Sequence, residues 1–273
     1  MPRRSRFARH LDERGYRDAL HAFRSRATER DSMLAWVRER LTTLTPQRER
    51  VSVLSIGAGD GDFDIDFLQL LKAHIPLLDY TAVEPNHIFC ETFRKRVEQL
   101  ALPGLRVESH GVSFEQFQPH SAFHLIHFTH CLYYVADREA AIRKALRNLT
   151  PDGQLLILHQ TPLGIHQVQE RYLRRVTGSE REMVSSDDIE LLLQQCGLDY
   201  AKEVIESSVE VTECFLPESR EGALLLGFFL ECDSSQIPSG EMREILAYLR
   251  QISRHDGERS WLPQPVAAFS LRR

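Results

Sequence analysis

The stretch VSVLSIGAGDGDFD holds the densest chemistry in the chain: Gly57, Gly59 and Gly61 follow a short apolar run, with Asp60 and Asp62 set among them. An apolar run that stops at glycines, here Val51 to Ile56, reads as a buried strand entering a tight turn. Glycines let the backbone turn sharply and approach a ligand closely, and the helix that follows presents free N–H groups. The position three after Gly59 is Asp62, so the third glycine of a dinucleotide-binding G-x-G-x-x-G turn is missing and an acid stands where pyrophosphate would lie. The next strand, TAVEP, ends on Glu84, a carboxylate able to accept both hydroxyls of a ribose. Negative charge around the turn repels pyrophosphate but tolerates a sulfonium. The pattern therefore points to a nucleoside cofactor without phosphates, and S-adenosylmethionine is that cofactor.

Other chemistry-bearing residues are less specific by themselves. Glu29 in TERD reads alone as one solvated charge, and Tyr133-Tyr134 as half-buried packing after a strand. His120, His124, His127 and His130 form a dense run, which invites a metal reading. Side chains alternate faces on a strand, so His124 and His127 point to opposite sides, and no Cys or carboxylate stands at zinc-ligand spacing with them. No metal site is expected. No G-x-S-x-G elbow is present, and the scattered Cys and His suggest no hydrolase nucleophile.

The elements that must position these residues alternate, which argues for an α/β fold with a parallel sheet flanked by helices. Helical spacing runs from Asp18 to Leu41 and from Phe63 to Leu71. Strands are expected at Val51–Ile56, Tyr80–Val83, Leu105–Ser109, Phe123–Thr129 and Gln154–Leu158. Asn86 is a plausible N-cap for a helix to Leu100, and Arg138 to Asn148 forms another, followed by turn chemistry at Pro151-Asp152-Gly153. Ser185-Ser186-Asp187-Asp188 opens a helix to about Gln195, closed by Gly197. His159 to Val184 and Cys232 to Ser260 fit the alternation badly and read as helical insertions.

With 273 residues and 42% hydrophobic content the chain can build a substantial core. Its net charge of −5 gives no bulk attraction to phosphate backbones, so nucleic acid is a poor partner. No apolar run approaches the ~18–20 residues that span a bilayer. The basic MPRRSRFARH lacks a following apolar region and does not read as a secretory signal. Five scattered cysteines without a C-x-x-C pair fit reduced thiols and a cytoplasmic protein; a monomer is expected.

LSIGAGDGDFD, AVEP, IHFTHCLYYVAD and SSDDIELLLQQCGL together resemble, in order and spacing, the histamine N-methyltransferase family. The resemblance runs from about Tyr16 to the C-terminus. It implies a doubly wound, Rossmann-like class I methyltransferase sheet with a helical substrate-binding insertion. The expected organisation is an N-terminal helical cap over residues 1–45 and a methyltransferase core over 46–273, with helical insertions near 160–184 and 233–260. By resemblance Gly57, Gly59, Glu84, Phe89, Ser113 and Thr129 sit at the cofactor. Phe89 stands where the family has Gln, so a hydrogen bond becomes apolar contact. On the substrate side the resemblance implies Tyr16, Phe23, Glu29, His130, Tyr133, Tyr134, His166 and Gln264. Glu29 falls on a carboxylate that holds the amine of histamine, and a buried alkylammonium needs such a fixed anion. His130 replaces a Gln, Gln264 an Asn and His166 a Trp; each keeps hydrogen-bonding ability and alters pocket shape.

The expected activity is methyl transfer from S-adenosylmethionine to a small imidazole-containing amine such as histamine, with His130, Glu29 and Gln264 as the working residues. An imidazole of pKa ~6.5 is largely neutral at pH 7 and attacks without a general base, whereas a primary amine needs one. The alternatives are another small amine or histidine-derived metabolite as acceptor, and a protein that binds the cofactor without catalysis. A nucleic-acid methyltransferase is disfavoured, because HCLYYV occupies the place of an N/D-P-P-Y-type motif.

Overall fold

The computed structural model describes residues 7–45 and 48–273; the basic segment 1–6 and the junction expected after residue 45 fall outside them. The chain forms two compact units. One takes the chain up to Glu29, then Gln160–Ser185 and Glu206–Pro265; the other takes Arg30–His159, Ser186–Ile205 and Val266–Arg273. Residues 30–45 thus belong to the second unit rather than to an N-terminal cap.

The second unit is built on a seven-stranded sheet. Its strands are β1 (Arg50–Ile56), β2 (Leu77–Val83), β3 (Leu105–His110), β4 (Phe123–Thr129), β5 (Leu149–Gln160), β6 (Tyr200–Ile205) and β10 (Val266–Arg272), in the order β3-β2-β1-β4-β5-β10-β6. The neighbours from β3 to β5 pair in parallel, and β10 pairs antiparallel with β6. Strands β1 and β4 are almost wholly buried, which is why they read as continuous apolar runs rather than as alternation. Helices α2 (Glu29–Leu44), α3 (Asp62–Lys72), α4 (His87–Glu98), α5 (Arg138–Arg147) and α7 (Ser186–Gln195) complete the unit. Helix α3 buries Phe63, Phe67, Leu68 and Leu71 on one stripe. Asn86 caps α4 by accepting from Ile88 N and Phe89 N. Core residues from α2, α3 and β1, including Val37, Val53 and Phe67, form one cluster with Val266 and Ala268 of β10.

The first unit contains α1 (Glu13–Arg26), α6 (Ile165–Thr177), α8 (Arg220–Leu230), α9 (Ser239–Ile252) and a small antiparallel sheet, β7 (Ser208–Glu210), β9 (Ser260–Pro263) and β8 (Arg254–His255). Its own core gathers Tyr172, Val209, Leu225, Phe229, Ile245 and Leu262.

Three expectations are corrected. The continuous helix from Asp18 to Leu41 is broken at Ala27, whose backbone is extended and bridges Val209, while Thr28 N donates to Ser208 O. A paired backbone there is worth more than the uninterrupted helical pattern. Pro151-Asp152-Gly153 is not a connecting turn but a bulge inside β5: Phe123 pairs with Leu149 and Leu125 with Gln154, so the extra residues loop out between them. Strands β6 and β10 were not anticipated, because their pairing joins segments far apart in sequence.

Candidate active site

The carboxyl ends of β1 to β4, with the first turn of α4, carry the cofactor candidates of the second unit. At the end of β1, Gly57 has φ +71°, and a Cβ there would lie 2.5 Å from the Cβ of Cys131. Only glycine fits that approach. Cys131 in turn donates its S–H to Ile56 O at 3.0 Å, and burial pushes its thiol up, so it packs as an inert side chain. Gly59, at φ +57°, has nothing within 4 Å of its would-be Cβ. Its glycine leaves the outer side of the turn open.

The N–H groups of Gly57, Ala58, Gly59, Gly61 and Asp62 are already committed. Gly57 N and Ala58 N donate to Val83 O, Gly61 N donates to Ala58 O, and Asp62 N lies within reach of Asp60 Oδ1. Gly59 N donates to Glu84 Oε2 at 2.9 Å, and Asn86 N to Glu84 Oε1 at 2.8 Å. A phosphate cradle needs these amides free; here a carboxylate sits among them instead. Glu84 is thereby fixed at the end of β2 with one lone pair on each oxygen still available, the arrangement that fits a vicinal ribose diol. The donor set suits S-adenosylmethionine and disfavours a dinucleotide.

Phe89 lies half-buried in the first turn of α4, and Ser113 follows β3, its carbonyl accepting from Gln116 N and Phe117 N. Thr129 ends β4 half-buried. His130 comes next with φ +48°, a left-handed conformation uncommon outside glycine and held by its N–H donating to Leu158 O. Its ring is stacked 6.4 Å from that of His159, and Tyr133 lies 5.5 Å from the same ring. Tyr134 packs edge-on against Tyr133 and is 70% exposed.

Beneath the strand ends lies a buried polar cluster. Tyr80 Oη donates to Asp64 Oδ1 at 2.7 Å and lies 3.0 Å from His127 Nε2; His127 Nδ1 lies 3.0 Å from Thr129 Oγ1. Burial raises Asp64 to about 6 and lowers His127 to about 3. The histidine run thus has separate duties: His124 Nδ1 accepts from Ser52 N, on a different side of β4 from His127. Among the described residues no group of three or more His, Cys, Asp or Glu is placed to hold a metal ion.

In the first unit, Phe23 of α1 stacks on Phe228 at 4.5 Å, and Tyr16 lies 6.4 Å from the same ring. Glu29 and His166 are buried. Gln264 is 3% exposed: its Oε1 accepts from Ile165 N at 2.8 Å at the start of α6, its N–H donates to Ser207 O, and Ser207 Oγ donates back to its carbonyl. Beyond that bond the Oε1 of Gln264 has a second lone pair and Nε2 has two protons to donate.

Two groups escaped sequence reasoning. His159 stands at the start of an expected insertion, whereas it lies in β5, one residue before its end at Gln160, with its ring beside that of His130. The Asp64–Tyr80–His127 cluster draws on three elements and needed the register of β1, β2 and β4 to be seen. The alternation on β4 did separate His127 from His124.

The model of the methyltransferase domain family matches residues 9–203. The chain is 26% identical over 253 residues to histamine N-methyltransferase of Danio rerio, covering 86% of this chain and 87% of that protein. It is 24% identical over 236 residues to carnosine N-methyltransferase 2 of Gallus gallus, covering 81% and 73%. The solved YcgJ protein of Bacillus subtilis superposes with a TM-score of 0.56 at 15% identity, over 88% of this chain and 99% of that one, which shows a shared fold. No helix among the described residues is long and apolar enough to cross a membrane. The glycine turn closed by Glu84, the sheet order and these matches make the chain a member of the methyltransferase domain family, a class I enzyme similar to histamine N-methyltransferase that takes its methyl group from S-adenosylmethionine.

Proposed function

We propose that the enzyme methylates a ring nitrogen of a small imidazole-containing amine such as histamine, acting as a monomer in the cytoplasm. The observation that carries this reading is the group of flat rings at the ends of β4 and β5: His130 stacked on His159, with Tyr133 beside them. Planar walls suit a planar acceptor and hold it in one orientation. The likeness to enzymes named for histamine and for carnosine supports the same acceptor class.

Bound S-adenosylmethionine supplies a methyl group already activated on a sulfonium. The chain's own work is then orientation and exclusion of water. Glu84 holds the ribose diol, Gly57 and Gly59 let the cofactor approach the backbone, and Phe89, Ser113 and Thr129 line its remaining edge. For the acceptor, Tyr133 and Tyr134 provide aromatic surface in the sheet unit; Tyr16 and Phe23, and the buried His166, are the candidates that the other unit carries. Glu29 offsets the charge of the amine tail. The non-reacting imidazole nitrogen carries the ring proton and therefore donates: Gln264 accepts from it with the second lone pair of Oε1, and His130 orients the ring and takes up that proton as the methylated ring returns to neutrality.

The test is methyl transfer from labelled S-adenosylmethionine to histamine, histidine, carnosine, methylated imidazoles and simple arylalkylamines. Ring-methylated histamine as the best product supports the proposal. Preference for a carboxylated imidazole moves the acceptor within the class, and preference for a non-imidazole amine overturns it.

A further inference from the structure

Four side chains form a continuous row from the interior of the sheet unit to the rim of the glycine turn: Asp64, Tyr80, His127 and Thr129. Asp64, Tyr80 and His127 are 3%, 1% and 1% exposed. The outer end is fixed by register: His127 pairs with Ser55 and Phe128 with Ile56, which sets Thr129 beside Gly57.

The direction of every hydrogen bond in the row follows from its inner end. A phenol has one proton, and the 2.7 Å contact with a carboxylate commits it to Asp64, which is ionised above about 6. The phenol oxygen can then only accept from His127, so the imidazole proton is on Nε2. His127 stays neutral, because burial lowers it to about 3. Its Nδ1 is left as an acceptor, and the one proton available at 3.0 Å is that of the Thr129 hydroxyl. The hydroxyl therefore points its proton inward and turns lone pairs outward. An apolar trio of similar size would fill the same space without the cost of burying an ionised group, so the polar row calls for a task at its end.

We infer that Asp64, Tyr80 and His127 are positioning residues that hold the Thr129 hydroxyl as a pure acceptor for an N–H group of bound S-adenosylmethionine. This rests on the reading that Thr129 lines the cofactor. Recognition is thereby tuned from the protein interior, through groups that never touch the ligand.

The experiment is a double-mutant cycle on the dissociation constant for S-adenosylmethionine, measured by calorimetry at pH 8, with melting temperatures taken in parallel. Thr129→Val is expected to weaken binding roughly tenfold, the loss of one hydrogen bond to a charged or strongly polar donor. Tyr80→Phe, which removes the bond that sets the row's direction, is expected to weaken it about fivefold. The double variant should bind no worse than Thr129→Val alone, because the row then has nothing to orient. Unchanged affinity in Thr129→Val overturns the placement of Thr129 at the cofactor, and the proposal with it. A weakened Thr129→Val beside a Tyr80→Phe variant that only melts earlier, or losses that simply add, overturns the relay and leaves the placement standing. Nitrogen-15 spectra of the wild-type imidazoles give a check independent of any variant: His127 should be neutral with its proton on Nε2, and a proton on Nδ1 refutes the relay.

Discussion

Glu84 and Glu29 are equally buried, at 9% exposure each, yet the units that hold them work differently. In the sheet unit, Glu84 receives two backbone N–H groups, the amides of Gly57, Ala58 and Gly61 have internal partners, and Thr129 is tied to His127. Position there is inherited from strand register. In the helical unit the candidate residues are carried on helices and on the chain around a small sheet, and they are set by packing, as Phe23 on Phe228, or by bonds to separate segments, as Gln264 to Ile165 and Ser207. A register-built site resists change, because moving one group disturbs a strand. A packing-built site can exchange side chains one at a time. The cofactor candidates lie on the register-built side and Glu29, His166 and Gln264 on the packing-built one, so substitutions in the two units should be read in different observables.

The largest effect should separate two neighbouring glycines of the register-built side. Gly57→Ala forces a Cβ to within 2.5 Å of Cys131 and strains a left-handed backbone. About 3–4 kcal/mol of stability should be lost, seen as a melting temperature lower by on the order of 8 °C. Gly59→Ala meets open space and should cost only about 1 kcal/mol, while weakening cofactor binding. Equal melting temperatures for the two would contradict the packing assigned to Gly57.

A pH effect of similar size is expected from Asp64. Its folded value, about 6, lies above the usual 3.8, so folding favours the protonated form. The stabilisation is complete below about pH 4 and is lost as pH rises through 6, a change on the order of 3 kcal/mol. Asp64→Asn should remove it. Denaturant titrations at pH 4 and pH 8 should show the stability of the variant, relative to wild type, rising by that amount. His127 opposes in both proteins, since its folded value near 3 makes acid destabilising from about pH 6.5 downward; it cancels in the comparison.

Glu84→Gln comes next. The amide turns an N–H₂ toward one of the two backbone donors and surrenders the charge that holds the diol. Affinity for S-adenosylmethionine should fall about 100-fold, or ~2.7 kcal/mol. A loss smaller than threefold in calorimetry would mean that Glu84 stabilises the turn and nothing else.

The same contrast explains how much of the molecule was legible in the sequence. The glycine turn, Glu84, the Asn86 cap and β4 follow from local rules, since a strand, a turn and a cap each declare themselves within a few residues. Strands β6 and β10, the β5 bulge and the break at Ala27 depend on partners elsewhere: Val266 on Ile205, Phe123 on Leu149, Ala27 on Val209. His159 was missed for the same reason, because the order of β4 and β5 must be known before their last residues become neighbours. The candidates Glu29, His166 and Gln264 came through family likeness, as no local pattern marks them.

The smallest effect tests the packing-built side. Glu29→Gln keeps size and removes charge. If its carboxylate offsets an alkylammonium, the KM for histamine should rise roughly tenfold, about 1.4 kcal/mol, with kcat nearly unchanged, because the tail is bound alike in ground and transition states. The affinity for S-adenosylmethionine should stay at the wild-type value. An imidazole acceptor without the ammonium should lose nothing on the same substitution, which distinguishes a lost ion pair from a loosened helix. Equal losses for both acceptors would assign Glu29 to the architecture of α2, and a change in cofactor affinity would erase the division of labour between the two units.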